Sequence, residues 1–389
     1  MIEKYYSGVI EQIYNRIGKE TRNIVMANYS NDFSIENLEV IRRYQSNEDN
    51  VFFAYSEFSY NTLVGAYEPF LDIICNMHRR FIGGSFDDFQ KECGVYYLHR
   101  QVLNSYYETG ECFREETVLL NEVAYEQRRM TMAIADMLKK LSEVKPLMIV
   151  INRFQMASKS SIETIKYLID NPCANIGIVL GVNAIVKGTD STVEVWDRIV
   201  ESLEDRSAIY YIGSAGPLKN NIKTTNDDEL YITMNFEQSI QEASNIMEFL
   251  DYEQARRGCR IIEHKIKFEN AWIDEKSLRR FYLVYARTSV LLGEMSKAIE
   301  LMNEYKALIP ENDSEHYFSL YYFMKGTCYM YQGKLEKAEG CAKKAYDYAL
   351  LADDELLEFK SELLSVMIKM SGWYNIFFCV QDIPVSDEI

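Results

Sequence analysis

The sequence predicts an α/β domain built on a parallel sheet, followed by an all-helical repeat region. In the first part of the chain, short apolar runs alternate with helical stretches such as 117–143, an order typical of a parallel sheet with crossover helices. Farther along, no segment has a strand-like pattern, and a motif recurs after forty positions. We therefore predict a first domain over 1–215, a polar linker over 216–235 and a repeat domain over 236–389.

Five apolar runs form the predicted sheet. They are residues 24–26, 51–55, 147–151, 176–180 and 209–212. The run 147–151 is apolar at every position, as expected for a parallel strand that is covered on both faces. In nucleotide-hydrolysing enzymes such a strand carries an acidic residue that helps to hold Mg²⁺. Here the residues that follow are Asn152 and Arg153, so no acid is present.

The segment after the first predicted strand has the place and length of a phosphate-binding loop, G-x-x-x-x-G-K-[ST]. On that template the two glycines fall on Ala27 and Asp32, the lysine falls on Phe33, and only Ser34 matches. A phosphate cradle needs backbone conformations that glycine adopts cheaply, together with a lysine ammonium on the terminal phosphates. We therefore expect no catalytic residue and no cofactor, and Ser34 is the one candidate cofactor-binding residue that remains.

Residues 147–168, LMIVINRFQMASKSSIETIKYL, resemble the Walker B strand and following helix of the STAND signal-transduction ATPases of the maltose-regulator type. The two acidic residues of that family fall on Asn152 and Arg153. The apolar positions of the strand and helix match this family, whereas the positions of its two acidic residues do not. The resemblance implies a P-loop-like fold in which ATP hydrolysis is lost.

Three other segments carry the same resemblance in the same order. Residues 50–55 and 66–71 resemble the family's second strand and its YxPF segment. Residues 176–183 resemble its sensor strand, in which a family arginine falls on Asn183. The resemblance thus covers residues 1–215.

The repeat region contains the motif LGEMSKAIE at 292–300, which recurs as QGKLEKAE at 332–339. These segments resemble tetratricopeptide repeats, with Gly293 and Gly333 at the turns between helices. A turn glycine permits a sharp reversal, and small residues in the second helix let two helices approach closely. The resemblance implies an all-α tetratricopeptide-like solenoid, whose concave surface binds peptides or helices.

Aromatic residues in this region are candidates for binding a protein partner, because tyrosine is favoured where one end of the side chain stays in water. The candidates are Tyr282, Tyr285, Tyr322, Tyr329, Trp373 and Phe377. The alternative is that most of these aromatics form the core between repeats. Trp373 and Phe377 lie on a final helix that no polar capping helix follows, so we also expect self-association through the C-terminal repeat.

Composition limits the other partners. The 42 basic and 59 acidic residues give a net charge of −17, which repels nucleic acid and anionic membranes. No apolar run is long enough to span a bilayer, so we expect a cytoplasmic protein. The eight cysteines form no C-x-x-C pair and the four histidines lack metal-ligand spacing, so we expect reduced thiols and no metal.

Together these features predict a non-catalytic sensory or scaffold module. The resemblance points to the N-terminal part of bacterial multidomain regulators, in which an output domain of the GGDEF or helix-turn-helix type lies outside this chain. The alternative is a nucleotide-binding switch that binds ATP or ADP without hydrolysis and controls such an output domain, with Ser34 and the following helix N-terminus favouring an anion. No G-x-S-x-G elbow supports an unrelated hydrolase.

Overall fold

The protein is represented by a computed structural model. The structure describes residues 2–29, 38–46, 50–59, 63–112, 122–183, 186–187, 190–212, 223–224, 235–268, 273–312 and 314–381. The chain divides into two compact units, Met1–Glu263 and His264–Ile389.

The first unit contains a five-stranded, fully parallel sheet with the strand order β2-β3-β4-β1-β6. Its strands are β1 (Ile24–Tyr29), β2 (Phe52–Glu57), β3 (Leu147–Asn152), β4 (Ile176–Asn183) and β6 (Ile209–Ile212). Two short strands, β5 (Val186–Lys187) and β7 (Lys223–Thr224), pair with each other apart from this sheet. All five predicted strands are confirmed.

The first strand is longer than predicted. Ala27, Asn28 and Tyr29 continue β1, because they pair in register with β4 on one side and with β6 on the other. The prediction that a loop begins at Ala27 is therefore wrong. The rest of that loop, 30–37, lies outside the described residues.

Ten helices of the described chain begin in the first unit. They are α1 (Ile2–Arg16), α2 (Glu39–Ser46), α3 (Phe70–Met77), α4 (Phe86–Glu92), α5 (Tyr97–Thr109), α6 (Val123–Val144), α7 (Lys159–Asp170), α8 (Asp190–Glu204), α9 (Phe236–Glu248) and α10 (Tyr252–Phe268). A π-helical turn, His78–Ile82, extends α3, and a 3₁₀ turn, Phe154–Met156, follows β3. The helices α6, α7 and α8 pack side by side in chain order.

Helix α1 lies against the middle of the sheet because β4 carries two glycines beneath it. A Cβ atom on Gly177 would lie 2.8 Å from Ile17 Cδ1, and one on Gly181 would lie 2.3 Å from the Tyr6 hydroxyl oxygen. Real Cβ atoms do not come so close, so a larger residue at either position would force the Ile17 or Tyr6 side chain to shift. Tyr6 and Ile13 of α1 are fully buried in the core that this contact creates.

Residues 236–263, predicted to open the repeat domain, belong to the first unit. Asn245 of α9 explains part of this placement: its Oδ1 accepts a hydrogen bond from the Cys112 N–H at 2.9 Å, and its Nδ2 donates to the Gly110 carbonyl at 3.0 Å. The Gln254 side chain of α10 donates to the Val64 carbonyl at 2.9 Å. The observed division thus falls within α10, beyond the predicted linker at 216–235.

In its described residues the second unit consists of helices joined by turns and contains no strand, as predicted. After the end of α10 it comprises α11 (Glu275–Leu291), α12 (Met295–Ala307), α13 (Ser314–Tyr331), α14 (Leu335–Leu351) and α15 (Glu355–Gln381). Consecutive helices pack on each other, and α13 also contacts α11 and α15. Gly293 and Gly333 adopt positive φ angles of 79° and 72° at the turns, and Ala298 and Ala338 are fully buried where the helices meet.

Candidate functional site

The candidate site lies at the carboxyl edge of the sheet, between β1 and β4. The connection after β1 leads to β2 at one side of the sheet, whereas the connection after β4 leads to β6 at the other side. Neighbouring strands whose connections diverge in this way form a topological switch point, where open α/β sheets bind their ligands. The side chains at these strand ends therefore decide what this edge can do.

The centre of the edge is closed by a hydrogen bond between Tyr29 and Asn152. The Tyr29 hydroxyl donates to Asn152 Oδ1 at 2.6 Å, and both side chains are fully buried. Tyr6 packs edge-to-face on Tyr29, with the ring centroids 6.3 Å apart. Asn152 stands at the end of β3, where the ATPase pattern has an acid. Its amide oxygen is thus engaged inside the protein.

Arg153, which directly follows Asn152, forms an ion pair with Glu57 at the end of β2. Arg153 Nη1 lies 3.0 Å from Glu57 Oε1 and donates to the Phe58 carbonyl at 3.2 Å. Both charged side chains are largely buried, 18% and 17% exposed. Tyr55 donates a hydrogen bond to the other oxygen of Glu57. The ends of β2 and β3 therefore carry a guanidinium that is paired with a carboxylate.

The Tyr6 hydroxyl at this edge does not ionise readily, because its pKa is raised. Burial raises the pKa of Tyr6 well above its usual value, and the neighbouring Tyr29, Tyr55 and Glu57 raise this pKa further. The Tyr6 phenol consequently stays neutral at physiological pH. Among the described residues, the edge thus carries the Arg153–Glu57 ion pair beside a set of polar side chains.

The structure describes some of the other residues predicted for this edge and not the rest. Asn183 is buried at the end of β4, opposite Tyr29 in the strand register. Ala27 is fully buried inside β1. Asp32, Phe33 and Ser34 lie outside the described residues.

Of the predicted partner-binding residues, Tyr282, Tyr322 and Tyr329 are half-buried, and Tyr285 is enclosed in the core of the second unit. The Tyr322 ring stacks on Tyr348, with centroids 5.7 Å apart and planes at 7°. Trp373 and Phe377 lie on the backbone of α15, and their side chains are outside the described part of the chain.

Lysines surround the half-buried tyrosines of α13. Lys344 lies over the Tyr322 ring at 5.1 Å. Lys325 and Lys334 approach the Tyr329 ring at 5.9 and 6.0 Å. Because residues 322, 325 and 329 share one face of α13, this face presents alternating aromatic and cationic groups, an arrangement suited to acidic or aromatic side chains of a partner.

A second polar feature of the first unit is a cavity of about 200 Å³ between α3, α5 and α9. Three carboxylates line it, those of Glu68, Asp72 and Glu242, and the described lining contains no Lys or Arg. Burial and repulsion from Glu68 and Asp72 raise the pKa of Glu242 to about 7. The Tyr106 hydroxyl donates to Asp72 Oδ1 at 3.2 Å.

The N-terminus of α7 connects the sheet domain to α10. Asp251, which is buried, accepts hydrogen bonds from the backbone N–H of Ser160 at 3.1 Å and of Gln254 at 3.3 Å. It thereby caps α10 and satisfies a donor at the start of α7. Burial raises the pKa of Asp251, and these donors act in the opposite direction. The carboxylate occupies the anion position that a helix N-terminus offers.

Sequence reasoning did not identify these pairings, although one signal was present. Polar residues end two of the predicted strands, Glu57 after the second and Asn152 after the third. The carboxyl ends of parallel strands share one edge, so these side chains were candidates for contact. The contact of Asp251 with Ser160 had no comparable signal, because Ser160 lies 91 positions earlier in the sequence.

No protein-family model, curated protein or solved structure matches this chain. Within the described ranges, no three or more His, Cys, Asp or Glu side chains are grouped so that they would hold a metal ion. In the same ranges, no helix has both the length and the apolar character that crossing a membrane requires.

Proposed function

We propose that this chain is a non-catalytic sensory or scaffold module of a bacterial signalling regulator, in which a pseudo-ATPase domain is coupled to a helical repeat array that binds a protein partner. The proposal rests on the side-chain pairings at the carboxyl edge of the sheet, at the switch point. There, Asn152 is bonded to Tyr29 and Arg153 is paired with Glu57.

These two pairings oppose ATP hydrolysis for electrostatic reasons. Phosphoryl transfer depends on a metal ion that neutralises charge on the phosphates, held by a carboxylate at the strand end. Here the carboxylate of Glu57 is neutralised by Arg153, and a divalent cation next to a guanidinium would be repelled. An amide at Asn152 brings no charge to offset this repulsion.

The repeat array supports the binding part of the proposal. Its helices pack consecutively, its turn glycines adopt positive φ angles, and one face of α13 presents Tyr322, Lys325 and Tyr329. In a chain with a net charge of −17, a local cluster of lysines and tyrosines favours an acidic segment of a partner. We therefore propose that the partner contributes carboxylates to this face.

Calorimetric titration of the full chain with ATP and with ADP, each with Mg²⁺, tests the proposal alongside a phosphate-release assay. We expect neither saturable binding nor turnover. Binding without turnover that is lost in Ser34→Ala and kept in the control Ser46→Ala would favour the alternative, a nucleotide-binding switch. Turnover would exclude both.

The partner-binding part requires a separate experiment. Full-length chain carrying Tyr322→Ala and Tyr329→Ala should capture less of a partner from a bacterial lysate than the wild type does. Tyr5→Ala is the matched control, because Tyr5 is 61% exposed on α1. Equal capture by all three proteins would remove α13 from the proposed binding surface.

A further inference from the structure

Helix α15 carries an uncovered apolar stripe along the outside of the second unit. We call this stripe the α15 seam; it consists of Leu356, Phe359, Leu363, Val366 and Met370. The side chains are between 42% and 63% exposed. The opposite face of the same helix is covered, since Leu364 and Ile368 are buried against the core of α13 and α14. In the part of the chain that the structure describes, α15 is thus apolar on two faces and is covered on one of them.

The spacing of the seam identifies the shape of its partner. The seam residues follow each other at intervals of three, four, three and four positions, which is a strict seven-residue repeat. Such a repeat keeps a seam facing a second helix, as in a two-stranded coiled coil. The seam therefore fits a helix lying alongside α15. The sequence continues the repeat with Trp373, Phe377 and Val380.

The charges beside the seam favour a second copy of this chain in parallel orientation. In heptad terms Glu355 occupies a g position and Lys360 the following e position. Two parallel copies in register place Glu355 of each helix beside Lys360 of the other, so the attraction occurs twice. An antiparallel pair centred on Leu363 would place Glu355 beside Lys369 of the other copy, but it would also place Glu362 against its own copy, and like charges repel.

We propose that α15 forms a parallel, two-stranded coiled coil with α15 of a second copy of this chain, and that the α15 seam is the interface. The proposal goes beyond the proposed function, because it stands whether or not the sheet edge binds a nucleotide. It also assigns a geometry to the self-association expected from the sequence. A protein dimerised in this way would present two sheet domains and two α13 faces in one assembly.

Sedimentation equilibrium of the full chain tests the interface. We expect a reversible dimer at concentrations up to about 100 µM, where micromolar affinity populates it. Leu363→Glu should weaken dimerisation at least about tenfold, because it buries a charge at the centre of the seam. Val144→Glu is the matched control. Val144 is 54% exposed on α6, so this variant should dimerise with the same affinity as the wild type. A monomeric wild type, or a Leu363→Glu dimer as tight as the control, would overturn the proposal.

Two further variants test the orientation. Leu356→Cys should form a disulfide-linked dimer under mild oxidation, since residue 356 meets its own copy only in the parallel arrangement. The wild-type chain gives the background from native cysteines.

Glu355→Lys should weaken the dimer, and the double variant with Lys360→Glu should restore it. A dimer with neither the crosslink nor the charge rescue would be antiparallel, contrary to the proposal. Unchanged circular dichroism and melting temperature establish that each variant is folded.

Discussion

Tyr29 and Asn152 are hydrogen-bonded although their strands are not neighbours. Strand β4 runs between β1 and β3, and the Tyr29 hydroxyl reaches Asn152 Oδ1 across it. Gly181 of β4 makes the contact feasible, because a Cβ atom there would lie 2.8 Å from the same Asn152 oxygen. The hydrogen bond between Tyr29 and Asn152 therefore depends on the absence of a side chain at Gly181.

Gly181→Ala should lower the free energy of unfolding by about 1–3 kcal/mol, since the added methyl group overpacks a buried polar cluster. Chemical denaturation followed by circular dichroism measures this change. Gly8→Ala in α1 is the control: no atom lies within 4 Å of its Cβ position, so we expect slight stabilisation from helix propensity. Combining Gly181→Ala with Tyr6→Phe should recover part of the loss; equal losses with and without Tyr6→Phe would contradict this explanation.

The sequence predicted the strands well because their signal is local. Each apolar run that became a strand is visible within a few residues. The pairing of Tyr29 with Asn152 was not predictable in the same way, because it depends on the strand order and on a glycine in a third strand. The same limit applies to residues 236–263. Their helical pattern is local, whereas the hydrogen bonds of Asn245 and Asp251 that join them to the first unit are not.

The strength of the Tyr29 and Asn152 contact can be measured with a double-mutant cycle. We expect Tyr29→Phe to cost about 1–2 kcal/mol, because it leaves a buried amide oxygen without this donor. Asn152→Ala should cost a similar amount or more. The double variant should lose less than the sum by about 1 kcal/mol. Additive losses would indicate that each side chain acts through other contacts.

Removing the positive charge of Arg153 should show how much its ion pair with Glu57 contributes to the stability of the fold. Arg153→Met keeps most of the side-chain volume and leaves a largely buried carboxylate without its counter-ion, so we expect a loss of about 2–3 kcal/mol in unfolding free energy. Lys140→Met is the control, because Lys140 and Glu143 form an exposed, solvent-screened pair whose loss should hardly change the stability. Adding Glu57→Gln to Arg153→Met should restore stability in part, and no restoration would argue against the electrostatic cause.

The acid-lined cavity predicts an unusual dependence of stability on pH. Glu242 has a raised pKa of about 7, and it faces Glu68, Asp72 and the Tyr106 hydroxyl from the elements packed around it. A carboxyl group with a folded-state pKa above its unfolded value binds a proton more tightly when folded. Its contribution is therefore fully present below the unfolded value, about 4.5, and is lost as the pH rises towards 7.

We expect the free energy of unfolding to fall by about 2–3 kcal/mol between these limits on account of this group, since each pKa unit corresponds to about 1.4 kcal/mol. Glu242→Gln should remove that part of the slope and leave the protein more stable than the wild type near pH 7.5. Glu143→Gln, which changes an exposed carboxylate, should keep the wild-type slope. Denaturation at a series of pH values measures all three proteins. A slope in Glu242→Gln that equals that of the wild type would show that the cavity carboxylates ionise without penalty, and the interface between α3 and α9 would then not respond to pH.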